Sequence, residues 1–158
     1  MPSFAESPAD LPDPAVICAM SGLEYVRAML DGRVPLAAID RLMGYQLESV
    51  EPGRVILRGT PDFAHSNAFG AVQGGWYATV LDSAMGCAVM TGVPQGRHWT
   101  TLEFKVNILR AVPLGTEILA TGMSDHAGRS TAAARAEMRD AGTGRLHATA
   151  STTCLILD

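Results

Sequence analysis

Cysteine is scarce in this chain and follows no pairing pattern: Cys18, Cys87 and Cys154 are odd in number, far apart and outside any CxxC spacing. That excludes a disulfide framework or zinc ribbon and points to reduced thiols in a core. Long apolar runs are missing too, since none reaches the roughly 18 residues of a membrane span. The opening MPSFAESPADLPDP has no basic n-region and no apolar h-region, so it does not read as a signal peptide. The expected compartment is the cytoplasm. Positive charge is in deficit, with 12 Lys and Arg against 16 Asp and Glu and a net charge of −4, which argues against a nucleic-acid surface. No GxSxG elbow, HExxH, GxxxxGKS/T or GxGxxG occurs, so serine-hydrolase, zincin, P-loop and dinucleotide chemistries lack their parts. His98, His126 and His147 are dispersed without ligand spacing, and no metal site is expected.

What is present suits one globular domain: 158 residues, 47% of them hydrophobic, can bury a sizeable core. Residues 1–14, rich in Pro, Ser, Ala and acid, read as a loosely held arm. Residues 15–43 read as a helical extension. Val16, Ile17, Met20, Leu23, Val26 and Leu30 recur at helical spacing up to Gly32, with Gly22 as a possible break, and a second short helix follows over 36–43. Met29, Leu36 and Met43 either brace the sheet or wall a ligand pocket. Residues 44–158 carry a hairpin through Glu51-Pro52-Gly53, one apolar helix, then alternating strands. In the first of those strands Leu102, Phe104, Val106 and Ile108 are expected to share a face. The order of helices, two strands, one long buried helix and four strands in hairpin succession gives an antiparallel α+β domain without βαβ crossovers.

The chain is organised around His65 to Thr91. Asp82 interrupts an apolar helical run, with Val80, Leu81, Ala84, Met85, Ala88 and Val89 around it. A helix apolar all round is buried, and an unpaired carboxylate there costs several kcal/mol or takes up a proton. A core partner or a catalytic role both account for it. Gly74-Gly75 mark the helix N-terminus, where backbone N–H groups lack carbonyl partners and can bind developing negative charge. Asn67, on the preceding loop, can offer an amide. Together these are parts for acyl transfer: an oxyanion donor, a carboxylate as base or nucleophile, and a polar positioner. Asp82 follows Gly74 by eight residues, about 12 Å along a helix, whereas a reacting carbonyl must lie about 3 Å from each group. If both act, they come from different subunits.

The pattern His65-x-Asn67-x-x-Gly70-x-x-Gln73-Gly74-Gly75-x6-Asp82 resembles the signature of hot-dog-fold acyl-CoA thioesterases of the phenylacetate-pathway (PaaI-like) and 4-hydroxybenzoyl-CoA group. The resemblance spans roughly residues 44–157. It implies a long helix wrapped by an antiparallel sheet in a homodimer or dimer of dimers. The Gly74 N–H would polarise a thioester carbonyl, Asp82 of the opposite subunit would attack it or activate water, and Asn67 would position the reacting group. Many relatives carry His where this chain has Gln73, which can orient a carbonyl but cannot shuttle a proton. Thr101 falls where the family often keeps a hydroxyl beside the carboxylate. His65 and Gly75 are placed on the substrate side, and Arg110 and Arg129 are candidates for the phosphates of coenzyme A, with solvated surface charge as the alternative. No cofactor is implied beyond coenzyme A within the substrate. A hot-dog enoyl-CoA hydratase pairing His65 with Asp82, or a non-catalytic acyl-CoA binder, are the alternative readings.

Overall fold

The structure, a computed structural model, describes residues 3–158. The helical extension forms three short helices: α1 (Pro14–Cys18), α2 (Gly22–Leu30) and α3 (Ala38–Leu42). Local chemistry sets their starts. Asp13 caps α1 by accepting from the Ala15 N–H at 2.7 Å, with Pro14 at the first helical position, where its missing N–H costs nothing. Ser21 and Glu24 form a reciprocal capping box at α2. Gly22 is a point of contact as well as a break: a Cβ there would lie 1.8 Å from the Met90 carbonyl oxygen, so the extension docks directly on the central helix. The arm is less loose than its composition suggests. Leu36 N–H donates to Ser3 at 2.8 Å and Ala5 N–H to Leu36 at 2.9 Å, and Ala5 is buried.

The sheet strands are β1 (Tyr45–Glu51), β2 (Arg54–Gly59), β3 (His98–Ile108), β4 (Ile118–Ala127), β5 (Thr131–Asp140) and β6 (Leu146–Leu157), around the helix α4 (Gly74–Met90). All pairings are antiparallel, in the order β1-β2-β4-β5-β6-β3. Hairpin succession therefore holds from β4 to β6 but fails between β3 and β4. After β3 the chain crosses back to the interior position beside β2, and β3 becomes the edge strand against β6. Alternation reports which residues share a face but is blind to which strands are neighbours. This is the hot-dog arrangement, a long helix gripped by an antiparallel sheet.

Contact between helix and sheet is close because the sheet presents small residues. A Cβ at Gly122 would lie 2.0 Å from the Ala84 carbonyl oxygen, and Ala120, Ala132, Ala134, Ala136, Ala148 and Ala150 are buried beside it. Val80, Leu81, Met85 and Val89 of α4 meet Val55, Leu57, Ile118 and Met138 in the core. No helix among the described residues is long and apolar enough to cross a membrane.

Two sequence expectations change in detail. A register shift between Thr101 and Glu103 inserts a bulge in β3, and one extra residue switches which side chains share a face. Thr101 pairs with buried Cys154, and Phe104 with buried Thr152. The helix-facing set is thus Trp99, Thr101, Phe104, Val106 and Ile108, and Leu102 leaves it. Nor is α4 covered all round. Ala78, Thr79, Asp82, Ser83 and Cys87 are only half-buried and recur at three- and four-residue intervals, giving the helix one less protected stripe.

Candidate active site

Asp82 sits midway along α4 on that stripe. Thr101, brought opposite by the bulged β3, donates its hydroxyl to Asp82 Oδ1 at 3.0 Å. Burial pushes the Asp82 carboxyl above its ordinary range, and the Thr101 hydrogen bond draws it partly back. The second carboxylate oxygen has no protein donor among the described residues. Such a group is a stronger base than a solvated Asp while remaining oriented. It opens on a cavity of about 190 Å³ walled by Met29, Ile39, Leu47, Leu57 and Trp99, with Asp40, Tyr45, Ser83 and Cys87 completing the lining.

Those last polar residues were not singled out from sequence. Tyr45 Oη and Ser83 Oγ are 2.7 Å apart. Asp40 is buried, accepts from the Ala37 N–H at 3.2 Å, and is raised by burial while Tyr45 and that N–H hold it down. The signal available was its place three residues after Ala37, where an acidic residue caps a helix from within. Cys87 also faces the cavity, but burial, with Asp40 and Asp82 nearby, pushes its thiol up to about 12, which removes it as a nucleophile at neutral pH.

The helix start is a different environment. Gly74 is the first residue of α4, after Gln73 at the cap position with extended φ −64° and ψ 139°. The Gly74 and Gly75 amides have no acceptor among the described residues, and a Cβ at Gly74 would find only the Ile108 side chain, at 3.8 Å. Gln73, Gly75 and Thr79 line a recess of about 300 Å³ with Met43, His65 and Trp76. The first turn is pinned by Trp76 Nε1 donating to Met43 at 2.9 Å and by Tyr77 Oη accepting from the Val112 N–H at 2.7 Å. Free N–H groups on a fixed helix end form a ready anion cradle.

Other sequence-selected residues fare differently. His65 is buried, and both ring nitrogens are engaged: Nδ1 accepts from the Asp62 N–H at 3.0 Å and Nε2 meets the Leu42 carbonyl at 2.8 Å. It fastens the loop to α3, and its ring also lines the recess at the helix start. Asn67 Oδ1 accepts from the Phe69 and Ala71 N–H groups at 2.9 and 3.2 Å, so only its NH₂ end remains to meet a ligand. Arg110 donates to the Leu146 carbonyl at 3.1 Å, near the Ile108 end of β3. The Arg129 carbonyl instead accepts from Arg97 at 2.6 Å, at the His98 end. Eleven residues of β3 put these ends roughly 33 Å apart, so the two arginines of one chain cannot hold the same coenzyme A phosphates.

A family model described as the thioesterase superfamily matches residues 69–147. The chain belongs to the thioesterase superfamily. Human acyl-coenzyme A thioesterase 13 is 26% identical over 78% of this chain and 85% of its own length. Among solved structures, a thioesterase family protein from Silicibacter pomeroyi is 28% identical with a TM-score of 0.74, covering 86% of this chain and 98% of that one. A phenylacetic acid degradation-related protein from Ralstonia eutropha JMP134 is 26% identical with a TM-score of 0.75, covering 83% and 98%. The superfamily match begins just before Gln73-Gly74-Gly75 and spans α4 to the start of β6, which includes Asp82 and Thr101 but leaves out the helices that wall part of the cavity.

Proposed function

We propose that the protein hydrolyses acyl-CoA thioesters in sites shared between two copies of the chain, with Asp82 of one and the Gly74 N–H of the other on the same carbonyl. The observation that carries this is the pairing of a raised, Thr101-held carboxylate with a free helix N-terminus about 12 Å away on the same helix. One chain holds both parts yet cannot bring them together. The edge strand supports a second copy. β3 runs 11 residues and leaves Leu102, Phe104 and Ile108 at 57%, 42% and 47% exposure, an apolar unpaired edge of the kind that recruits another strand. A homodimer, or a dimer of such dimers, follows.

In the reaction, Asp82 takes a proton from water as the water oxygen attacks the thioester carbon. The developing oxyanion is held by the Gly74 N–H, the C–S bond breaks, and the thiolate leaves with a proton returned from Asp82. A raised carboxyl strengthens Asp82 as a base and as a nucleophile alike, and the base route needs no covalent intermediate. Transfer of labelled solvent oxygen into Asp82 during a single turnover would instead signal an anhydride. Asn67 NH₂ and the Gln73 amide act as positioners, with Gln73 in a purely orienting part. Arg110 is the phosphate contact at the Gly74 end. A hydratase pairing His65 with Asp82 is disfavoured because neither His65 nitrogen is free. Three free thiols suit a reducing compartment, and we assign the protein to the cytoplasm.

The test is free-thiol release from aryl, short, medium and long acyl-CoAs by wild type and Asp82→Asn. The expected result is turnover that falls roughly 10²–10⁴-fold in the variant. Near-normal turnover in Asp82→Asn would remove Asp82 from the mechanism.

A further inference from the structure

The cavity beside Asp82 is bounded on one side by residues from three elements: Met29 of α2, Cys87 of α4 and Trp99 of β3. The same three residues form a wall of a second recess, of about 330 Å³, completed by Ile17, Val26 and Met90 with Tyr25 and His98. The two spaces are opposite sides of one partition. Their characters differ: the inner one mixes apolar walls with the carboxylates of Asp40 and Asp82 and the hydroxyls of Tyr45 and Ser83, whereas the outer one is lined by aliphatic, thioether and aromatic side chains with His98 at its border and no carboxylate.

The partition is thin and part of it can move. Met29 is unbranched, half-buried and able to change rotamer at low cost. Trp99 is the fixed part, because its ring lies flush on α4 where Gly86 has no side chain; a Cβ there would sit 2.2 Å from the ring. The roof of the outer recess comes from α1 and α2. Beside it Glu24 and Arg27 of α2 are exposed, with Val16 of α1 next to them, a rim more charged than the apolar centre of a macromolecular interface. A narrow alkyl chain arriving from the inner cavity needs no apolar rim.

We propose that the recess under α1 and α2 is the outer compartment of the acyl site, taking the distal methylenes of a chain whose thioester lies at Asp82, with Met29 as the movable wall between the compartments. The inference rests on the thioesterase reading and assigns it a substrate class, acyl groups long enough to pass Met29. Each methylene moved from water to such a wall favours binding about fourfold. Four of them would therefore favour a longer chain roughly 250-fold until the recess is full.

The test compares hexanoyl-CoA with dodecanoyl-CoA by kcat/KM, and hexanoate with dodecanoate by calorimetric affinity. Wild type should prefer the longer member in both. Ile17→Trp, which fills the recess, should lower that preference at least tenfold. Val16→Trp, on the exposed side of α1, should leave it in place. Met29→Ala, which shortens the partition, should raise it, a direction that mere loosening of α1 would not give. No preference for length in wild type, or equal effects of Ile17→Trp and Val16→Trp, would overturn the proposal. So would an Ile17→Trp variant that changes the sedimentation mass but not the preference, since the recess would then seat a second copy. If no acyl-CoA is turned over, the thioesterase reading falls while the fatty-acid affinities still decide the recess.

Discussion

The first turn and the middle of α4 are built on opposite principles. At Gly74 and Gly75 the helix end is exposed and bare, its amides unpaired among the described residues and the Ile108 side chain the nearest to it there. At Asp82, two turns on, the helix is pressed between sheet and extension, and the carboxylate is raised by burial and held by Thr101. The first region offers backbone donors and needs a visitor. The second offers a base and a cavity and needs an oxyanion donor. Each lacks what the other has, and their fixed separation along one helix is what the proposed two-copy site would overcome.

The largest expected effect that sharpens this contrast separates the Gly74 N–H from the absence of a side chain. Gly74→Pro removes only the donor, since Pro is at home at the first helical position and Gln73 already has the extended backbone that a following Pro demands. Turnover should fall roughly 10²–10³-fold, the usual cost of one oxyanion donor, with melting temperature little changed. Gly74→Ala, whose Cβ would make an ordinary 3.8 Å contact with Ile108, should keep activity within about threefold of wild type. Equal losses in both would shift the explanation from hydrogen bonding to space.

Next in size is Thr101→Val, expected to cost about tenfold in kcat through loss of orientation. Its more telling readout is the pH profile. Asp82 acts as a base only when ionised, so activity is present above its pKa and lost as pH falls through it. The Thr101 hydrogen bond lowers that pKa, so without the hydroxyl the acid limb of kcat/KM should move to higher pH. An unmoved limb would mean that Asp82 is not the group whose titration is seen.

Two smaller effects concern stability. His65→Leu should cost about 1 kcal/mol, because it removes two part-buried hydrogen bonds, to the Asp62 N–H and the Leu42 carbonyl, whose backbone groups can turn to water. Activity per folded molecule should persist, and a specific loss of turnover would restore His65 to the reaction. Asp82→Asn should stabilise by about 1 kcal/mol near neutral pH, the usual gain from relieving an active-site cost. The sign follows from the raised carboxyl: folding disfavours its ionised form, so wild type loses stability as pH rises from the ordinary Asp value of 3.8 through the raised one. The variant's advantage should therefore vanish below that window, which chemical denaturation at two pH values would reveal.

The α+β class and the long helix starting at Gly74 were legible in sequence because each rests on local chemistry, whereas the nearness of Thr101 to Asp82 was implied only by the family resemblance. Gly pairs start helices, alternation marks strands, and an Asp in an apolar run calls for an explanation. What remained hidden was set by pairing over long distances. The placement of β3 beside β6 and the bulge that turns Leu102 away from Phe104 have no local signature. The burial of Asp40 beside Tyr45 depends on α3 folding back on β1. Asn67 and His65 stood at suggestive spacings, yet Asn67 Oδ1 holds its own loop and His65 ties that loop to α3, uses that spacing cannot distinguish from a catalytic one. Arg110 and Arg129 looked interchangeable as strand-end cations until the register put them at opposite ends of the sheet.

The central claim, one site from two copies, is tested most directly by mixing. Asp82→Asn and Gly74→Pro chains, each nearly inactive alone, are co-expressed or exchanged and assayed for thiol release. If each site takes Asp82 from one copy and Gly74 from the other, a mixed dimer carries one doubly defective site and one intact site. With half the dimers mixed, activity should return to about a quarter of wild type, as the symmetry of such a pair requires. If both groups served a site within one chain, every site in the mixture would remain damaged. Activity would then stay at the level of the separate variants, contradicting the account.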